Sequence, residues 1–296
     1  MTLQEFLDRC AQLKKSGNPA GCMAFCDEIL AAEAKGRLRA PALRQKAVLL
    51  LASELGAHDA ITYLKAALTN SRSYPSDQPA ILSTLISAYA MYGNHDDARQ
   101  YADMYFRLAE SSADPTVRQW VPKFWFNLGY AYETAAEHEL AAEAYTNARE
   151  TAHLAAGGFN RGLAENNLVQ MYLELGRIED AMLMMEAAKA HLGDVAEASP
   201  NLKDQEAQCL LAVGRLQEAD AACLEALAHP ECQKEVRAEA LLTHARIQAA
   251  QGDVAQAITT AEQALDIARD VPNQRLIHKI GGFLATLRAR EEVPRS

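Results

Sequence analysis

Three cysteines near the start of the chain, Cys10, Cys22 and Cys26, are the first residues whose type and spacing bear on chemistry. Cys22 and Cys26 stand four apart and so share one face of a helix. Three thiolates with a fourth ligand would hold zinc. The same positions fit a plainer role, because cysteine is a small residue that packs well in helical cores. Cys223 takes the place of Cys26 in a later stretch of similar pattern. Packing is therefore the expected role, and no metal site or cofactor is predicted. The histidines are scattered: His58, His95 and His138 fall in or just after turns, and His244 falls on a helix face near its partner helix. A satisfied imidazole at such places needs no reaction to explain it. The chain carries no HExxH, no phosphate-cradling GxxxxGK or GxGxxG, and no GxSxG elbow. Gly157-Gly158 reads as a loop, and the acidic pairs Asp96-Asp97 and Glu291-Glu292 read as solvated helix ends. No catalytic residue is expected.

Composition says what must position these residues. Alanine supplies about one residue in five, which suits closely packed helices. The 49% hydrophobic content is enough for a large core. The formal net charge of −10 disfavours direct contact with nucleic acid, which needs a basic footprint. No apolar run approaches the roughly 18 residues that span a bilayer, and MTLQEFLDRC lacks the layout of a signal peptide. With six cysteines too sparse for a disulfide scaffold, the expectation is a cytoplasmic protein.

The 296 residues, at about 150 per domain, would make two domains, but the glycines argue for repetition. Gly17, Gly56, Gly93, Gly176, Gly214 and Gly252 each follow one helical pattern and precede another. An alanine stands five residues after four of them, at Ala98, Ala181, Ala219 and Ala257, and the last three glycines are spaced 38 residues apart. Small residues belong where two helices cross closely. Helix pairs of this kind cannot bury an apolar face alone, so stacking is expected.

The segment WFNLGYAYETAAEHELAAEAYTNA resembles a tetratricopeptide repeat, with Trp125, Leu128, Gly129, Tyr132, Ala141, Tyr145 and Ala148 at the signature spacing. The next unit matches at Leu168, Tyr172, Gly176, Ala181 and Ala188, and weaker matches surround Gly93, Gly214 and Gly252. The units, near 3–40, 41–78, 79–121, 122–161, 162–199, 200–237 and 238–272, are longer than the family's usual 34 residues. The resemblance implies an all-α fold: a single right-handed superhelical solenoid of about seven antiparallel helix pairs over 1–296, with a C-terminal capping helix at 273–292.

In that family the first helix of each unit lines a concave groove that binds proteins or extended peptides. Carrying the groove positions over by register gives Lys123, Phe126, Asn127, Tyr130 and Glu133, then Asn166, Asn167, Gln170 and Glu174, then Asp204, Gln205, Gln208 and Arg246. Leu49, Ser53, Ser83, Ser87 and Met91 come from earlier units. Asn and Gln offer donors and an acceptor together, so a ladder of them can bridge peptide backbone, while Phe126 and Tyr130 offer apolar surface. The cations Lys123 and Arg246 stand three units apart, which argues against the capture of a terminal carboxylate by cations of neighbouring units. The first repeat-like pair begins near Leu3 and leaves no room ahead of it for a DNA-binding helix-turn-helix. The expected function is a non-catalytic binding scaffold. The alternatives are a regulator that senses a small peptide and controls an effector, and an enzyme acting on a partner protein.

Overall fold

A chain that reverses direction between two closely packed helices often sets one residue in the left-handed region, where a Cβ is penalised. In the computed structural model, which describes residues 1–32, 36–52, 56–155, 161–192, 195, 199–271 and 273–291, Gly17, Gly93, Gly176, Gly214 and Gly252 all have positive φ, from 69° to 94°. After each glycine the next backbone N–H donates to the carbonyl five residues back, as Arg177 does to Tyr172 at 2.8 Å and Arg215 to Leu210 at 2.9 Å. The fourth pair makes the same turn with an alanine: Ala136 has φ 59°, and the Glu137 N–H donates to the Tyr132 carbonyl at 2.9 Å.

No strand occurs among the described residues, and the chain folds as two compact units, Met1–Phe159 and Asn160–Ser296. The first unit holds α1 (Leu3–Lys15), α2 (Pro19–Ala32), α3 (Arg39–Leu51), α4 (Ala57–Asn70), α5 (Gln78–Met91), α6 (His95–Ser111), the single turn α7 (Pro115–Arg118), α8 (Val121–Thr134) and α9 (His138–Thr151). Thr2 opens α1 with a capping box: its hydroxyl accepts from the Glu5 N–H, and the Glu5 carboxylate accepts from the Thr2 N–H. One core gathers Phe6, Cys10, Cys22, Phe25, Cys26, Leu38 and Ala42. A larger one runs from α3 to α8 through Leu64, Leu82, Tyr105 and Phe124. Helices α8 and α9 cross so closely that a Cβ on Gly129 would stand 2.7 Å from the Tyr145 ring.

The second unit holds α10 (Arg161–Glu174), α11 (Ile178–Leu192), α12 (Ser199–Ala212), α13 (Leu216–Ala228), α14 (Lys234–Gln251), α15 (Val254–Ala268) and α16 (Gln274–Glu291). Ala181, Ala219 and Ala257, the alanines five past the turn glycines, are fully buried. Leu276, Ile280 and Leu284 of α16 join Ala238, Leu242, Ala261 and Ala264 in a core with α14 and α15, so α16 packs as though it opened another pair. The described residues thus form seven helix pairs and a closing helix. Ser53, Gly157-Gly158 and Glu292 lie outside the described residues.

Candidate functional site

Gln170, Gln208 and Arg246 each stand six positions before a turn glycine, at Gly176, Gly214 and Gly252 respectively. That common register aims three side chains from α10, α12 and α14 the same way. With Leu173, Glu174, Leu211 and Ala212 they line one cavity of about 200 Å³ in the second unit.

The polar groups of this cavity are partly spoken for. The Gln170 amide donates to Glu174 Oε1 at 2.8 Å, and Lys279 Nζ of α16 donates to the same oxygen at 2.9 Å. Partial burial works against ionising Glu174, but Lys279 and the Gln170 amide outweigh it and hold the carboxyl below its usual range. The Gln208 amide donates to Asp204 Oδ2 at 2.8 Å. Asp204 is 3% exposed and its other oxygen, Oδ1, has no donor. Burial pushes its carboxyl up, against the opposing pull of the Thr243 hydroxyl, the Gln208 amide and, more weakly, Arg246 and Lys279. Arg246 donates to no described residue; its guanidinium sits 5.8 Å from the Phe283 ring of α16. Burial holds it below the usual arginine range despite the fields of Glu174 and Asp204.

The remaining predicted residues fare differently. Asn166 is buried with an unpartnered Oδ1, and Asn167 is half-buried beside it. In the first unit Lys123 is exposed along much of its length, yet desolvation and the Arg44 guanidinium hold its ammonium below the lysine range. Phe126 lies 5.4 Å from the Tyr145 ring, and Tyr130 is half-buried. Asn127 is the clearest departure from expectation. It is 6% exposed, and its amide donates to the Ser83 carbonyl at 2.9 Å and the Ser83 hydroxyl at 2.8 Å. Those donors tie α8 to α5 and cannot also hold a ligand's backbone.

The cysteines converge: the Sγ atoms of Cys10, Cys22 and Cys26 all lie within 4.8 Å of one another. No His, Asp or Glu joins them among the described residues, which leaves a tetrahedral zinc site one ligand short. Their surroundings are apolar, and burial pushes the Cys10 thiol up to about 12 and that of Cys26 further. Cys223 is likewise buried, its thiol donating to the Ala240 carbonyl at 3.1 Å.

Three features escaped sequence reasoning. Glu165, fully buried, accepts from Arg161 Nε at 2.9 Å and meets His191 Nδ1 at 2.7 Å. Arg44 donates from Nε to the Ala80 carbonyl and the Thr84 hydroxyl. Lys279 reaches a helix 105 residues earlier in the chain, which no local pattern announces.

A family model described as the tetratricopeptide repeat matches residues 122–148 and 238–271. Comparison with the sequences of curated proteins finds no match. Among solved structures, the chain is similar to a tetratricopeptide repeat protein from Parabacteroides merdae, at 13% identity and a TM-score of 0.61 over 94% of this chain and 98% of that one. It is also similar to a chain of the APC/C hetero-tetramer Cut9-Hcn1, at 15% identity and a TM-score of 0.64, over 98% of this chain and 50% of the other. A third likeness is to a signal transduction ATPase with a tetratricopeptide repeat sensor from Pyrococcus horikoshii, at 15% identity and a TM-score of 0.61, over 99% of this chain and 51% of the other. At these identities the likeness is one of fold.

Proposed function

Because the chain is a tetratricopeptide-repeat protein, we propose that it is a non-catalytic scaffold for protein partners and that the cavity of α10, α12 and α14 receives an extended peptide segment. The observation that carries this reading is the common register of Gln170, Gln208 and Arg246, which sets three polar side chains along one cavity. Side-chain amides and a guanidinium at regular intervals suit a backbone whose donors and acceptors also recur at regular intervals. The similar chains include one of an APC/C hetero-tetramer and one with a repeat sensor, both in keeping with partner binding. The net charge of −10 supports a protein partner over nucleic acid, and no helix of the described residues is long and apolar enough to cross a membrane. The cytoplasmic location is proposed from the sequence alone, whose six cysteines are too sparse for a disulfide scaffold.

Selection of a random dodecapeptide library on the immobilised protein tests this reading. Selected peptides are expected to lose about three- to tenfold in affinity on Gln208→Ala, the worth of one net hydrogen bond. Arg246→Ala should cost more, and the exposed control Glu179→Ala should leave affinity unchanged. Peptides that bind all four proteins equally would move the binding surface away from this cavity.

A further inference from the structure

Three positions meet where the two helices of a pair cross: the seventh before the turn residue, and the fifth and ninth after it. Gly129 against the Tyr145 ring is one such meeting, and Ala207, Ala219 and Cys223 share a core as another. In the five pairs that turn at Gly93, Ala136, Gly176, Gly214 and Gly252, the fifth position is always a fully buried alanine: Ala98, Ala141, Ala181, Ala219 and Ala257. The other two positions carry a single cysteine across those five pairs, Cys223. The pair that turns at Gly17 has cysteine at all three, as Cys10, Cys22 and Cys26. Elsewhere alanine or one cysteine satisfies the crossing, so packing does not ask for three sulfurs at one place.

The three Sγ atoms lie within 4.8 Å of one another, and each residue is at most 1% exposed. Sulfurs bound to one centre at about 2.3 Å stand about 4 Å apart, so a shift of about 1 Å closes these three on it. The shell around them is Phe6, Phe25, Leu38 and Ala42, with no His, Asp or Glu to add a ligand among the described residues. That shell selects the charge of the occupant, because a net charge buried among apolar groups is costly. A divalent cation with three thiolates leaves a net negative charge, and a monovalent cation leaves more. A trivalent centre leaves none. Arsenic(III) and antimony(III) also need only three ligands, since a lone pair fills the fourth direction. We propose that Cys10, Cys22 and Cys26 form a site for a trivalent, sulfur-seeking metalloid, arsenic(III) or its heavier congener antimony(III), held by three bonds to sulfur. Arsenous acid, As(OH)3, would condense with the three thiols. Three S–H and three As–O bonds break, three As–S and three O–H bonds form, and three waters leave with no change of oxidation state. Burial keeps the Cys10 and Cys26 thiols protonated at neutral pH, which suits a reaction that carries thiol protons away as water. The Cys22 thiol gives up only a long contact with the Cys10 carbonyl, at 3.9 Å. The product ties α1 to α2 and adds no charge to their core.

Sodium arsenite is the probe, added to the full chain with a phosphine that keeps the thiols reduced without competing as a thiol. Equilibration is overnight, because entry requires α1 to part from α2. Native mass spectrometry should find one arsenic gained and three hydrogens lost per chain, a difference that counts the sulfurs bound. Cys22→Ala gives this pair the alanine of the five others, so it should fold, and it should hold arsenic about 100-fold more weakly for want of the third attachment. Cys26→Ala, which matches Ala102 and Ala261 of other pairs, should weaken binding as much. Cys223→Ala should bind arsenic as the natural chain does. No arsenic retained at concentrations below about 1 mM, a loss of only two hydrogens, or equal retention by Cys22→Ala and Cys26→Ala overturns the proposal. Zinc or copper(I) displacing arsenic from the same sulfurs overturns it too, in favour of a metal-ion site. Should one alanine variant lose its native melting transition, the other variant and the hydrogen count of the natural chain decide.

Discussion

Ala136 carries a cost that five glycines in equivalent turns avoid. Its φ of 59° lies where a Cβ crowds the following carbonyl, while the bonds of the turn match those made around Gly176 and Gly214. Ala136→Gly should therefore stabilise the protein by up to about 1 kcal/mol, the relief of strain being partly offset by the freedom glycine gains in the unfolded chain. A denaturant midpoint measured for both proteins checks it, and a lower midpoint for the glycine variant would mean that the turn tolerates its alanine without strain. The turns were legible in the sequence because backbone geometry limits what can stand there. The same cannot be said of Asn127. Its type and register pointed to a groove amide, but only packing decides whether a neighbouring helix claims that amide first, and Ser83 of α5 does.

Helices were legible for a similar reason: glycine, alanine and apolar spacing mark where each begins, ends and touches its partner. The positions of Gln170, Gln208 and Arg246 in one cavity follow from counting back from the turn. Lys279 does not, because its meeting with Glu174 depends on how four successive first helices curl together, a property of accumulated packing angles. At the element scale the thiols give a sharp expectation. Cys10, in the core of α1 and α2, is pushed up to about 12, and Cys209 of α12 to about 11. An unfolded cysteine ionises near pH 8.5. A group whose acid pKa is raised by folding favours the folded state fully below its unfolded pKa, and that advantage is lost as pH rises through the folded value. Stability should then fall from about pH 8.5 upward, under reducing conditions and well before Cys10 itself ionises in the native state. Urea midpoints at pH 8, 9 and 10 should decline, and less steeply for Cys10→Ala, which has one buried thiol fewer. An equal decline in both proteins would assign the loss to other groups.

At the scale of the whole molecule, the chain is strongly acidic while its candidate cavity balances one cation, Arg246, against one carboxylate, Glu174. The formal net charge is −10, so a basic peptide is drawn in from a distance, whichever contacts it then makes in the cavity at close range. The two effects differ in reach. Between exposed charges the field fades over about 10 Å at 0.1 M salt and about 3 Å at 1 M, whereas contacts inside a partly desolvated cavity are screened far less. A partner suited to this long-range field would carry basic residues outside the segment that enters the cavity. Adding two lysines to a library-selected peptide, beyond the residues that enter the cavity, should therefore speed association at low salt. The gain should shrink as salt rises towards about 0.5 M, where the Debye length is down to a few ångströms, and the dissociation rate should change much less than the association rate. Stopped-flow traces at low and high salt for the two peptides measure this directly. Equal association rates at low salt would show that the acidic surface does not steer its partner, and a lysine effect confined to the dissociation rate would place those lysines in direct contact with the protein.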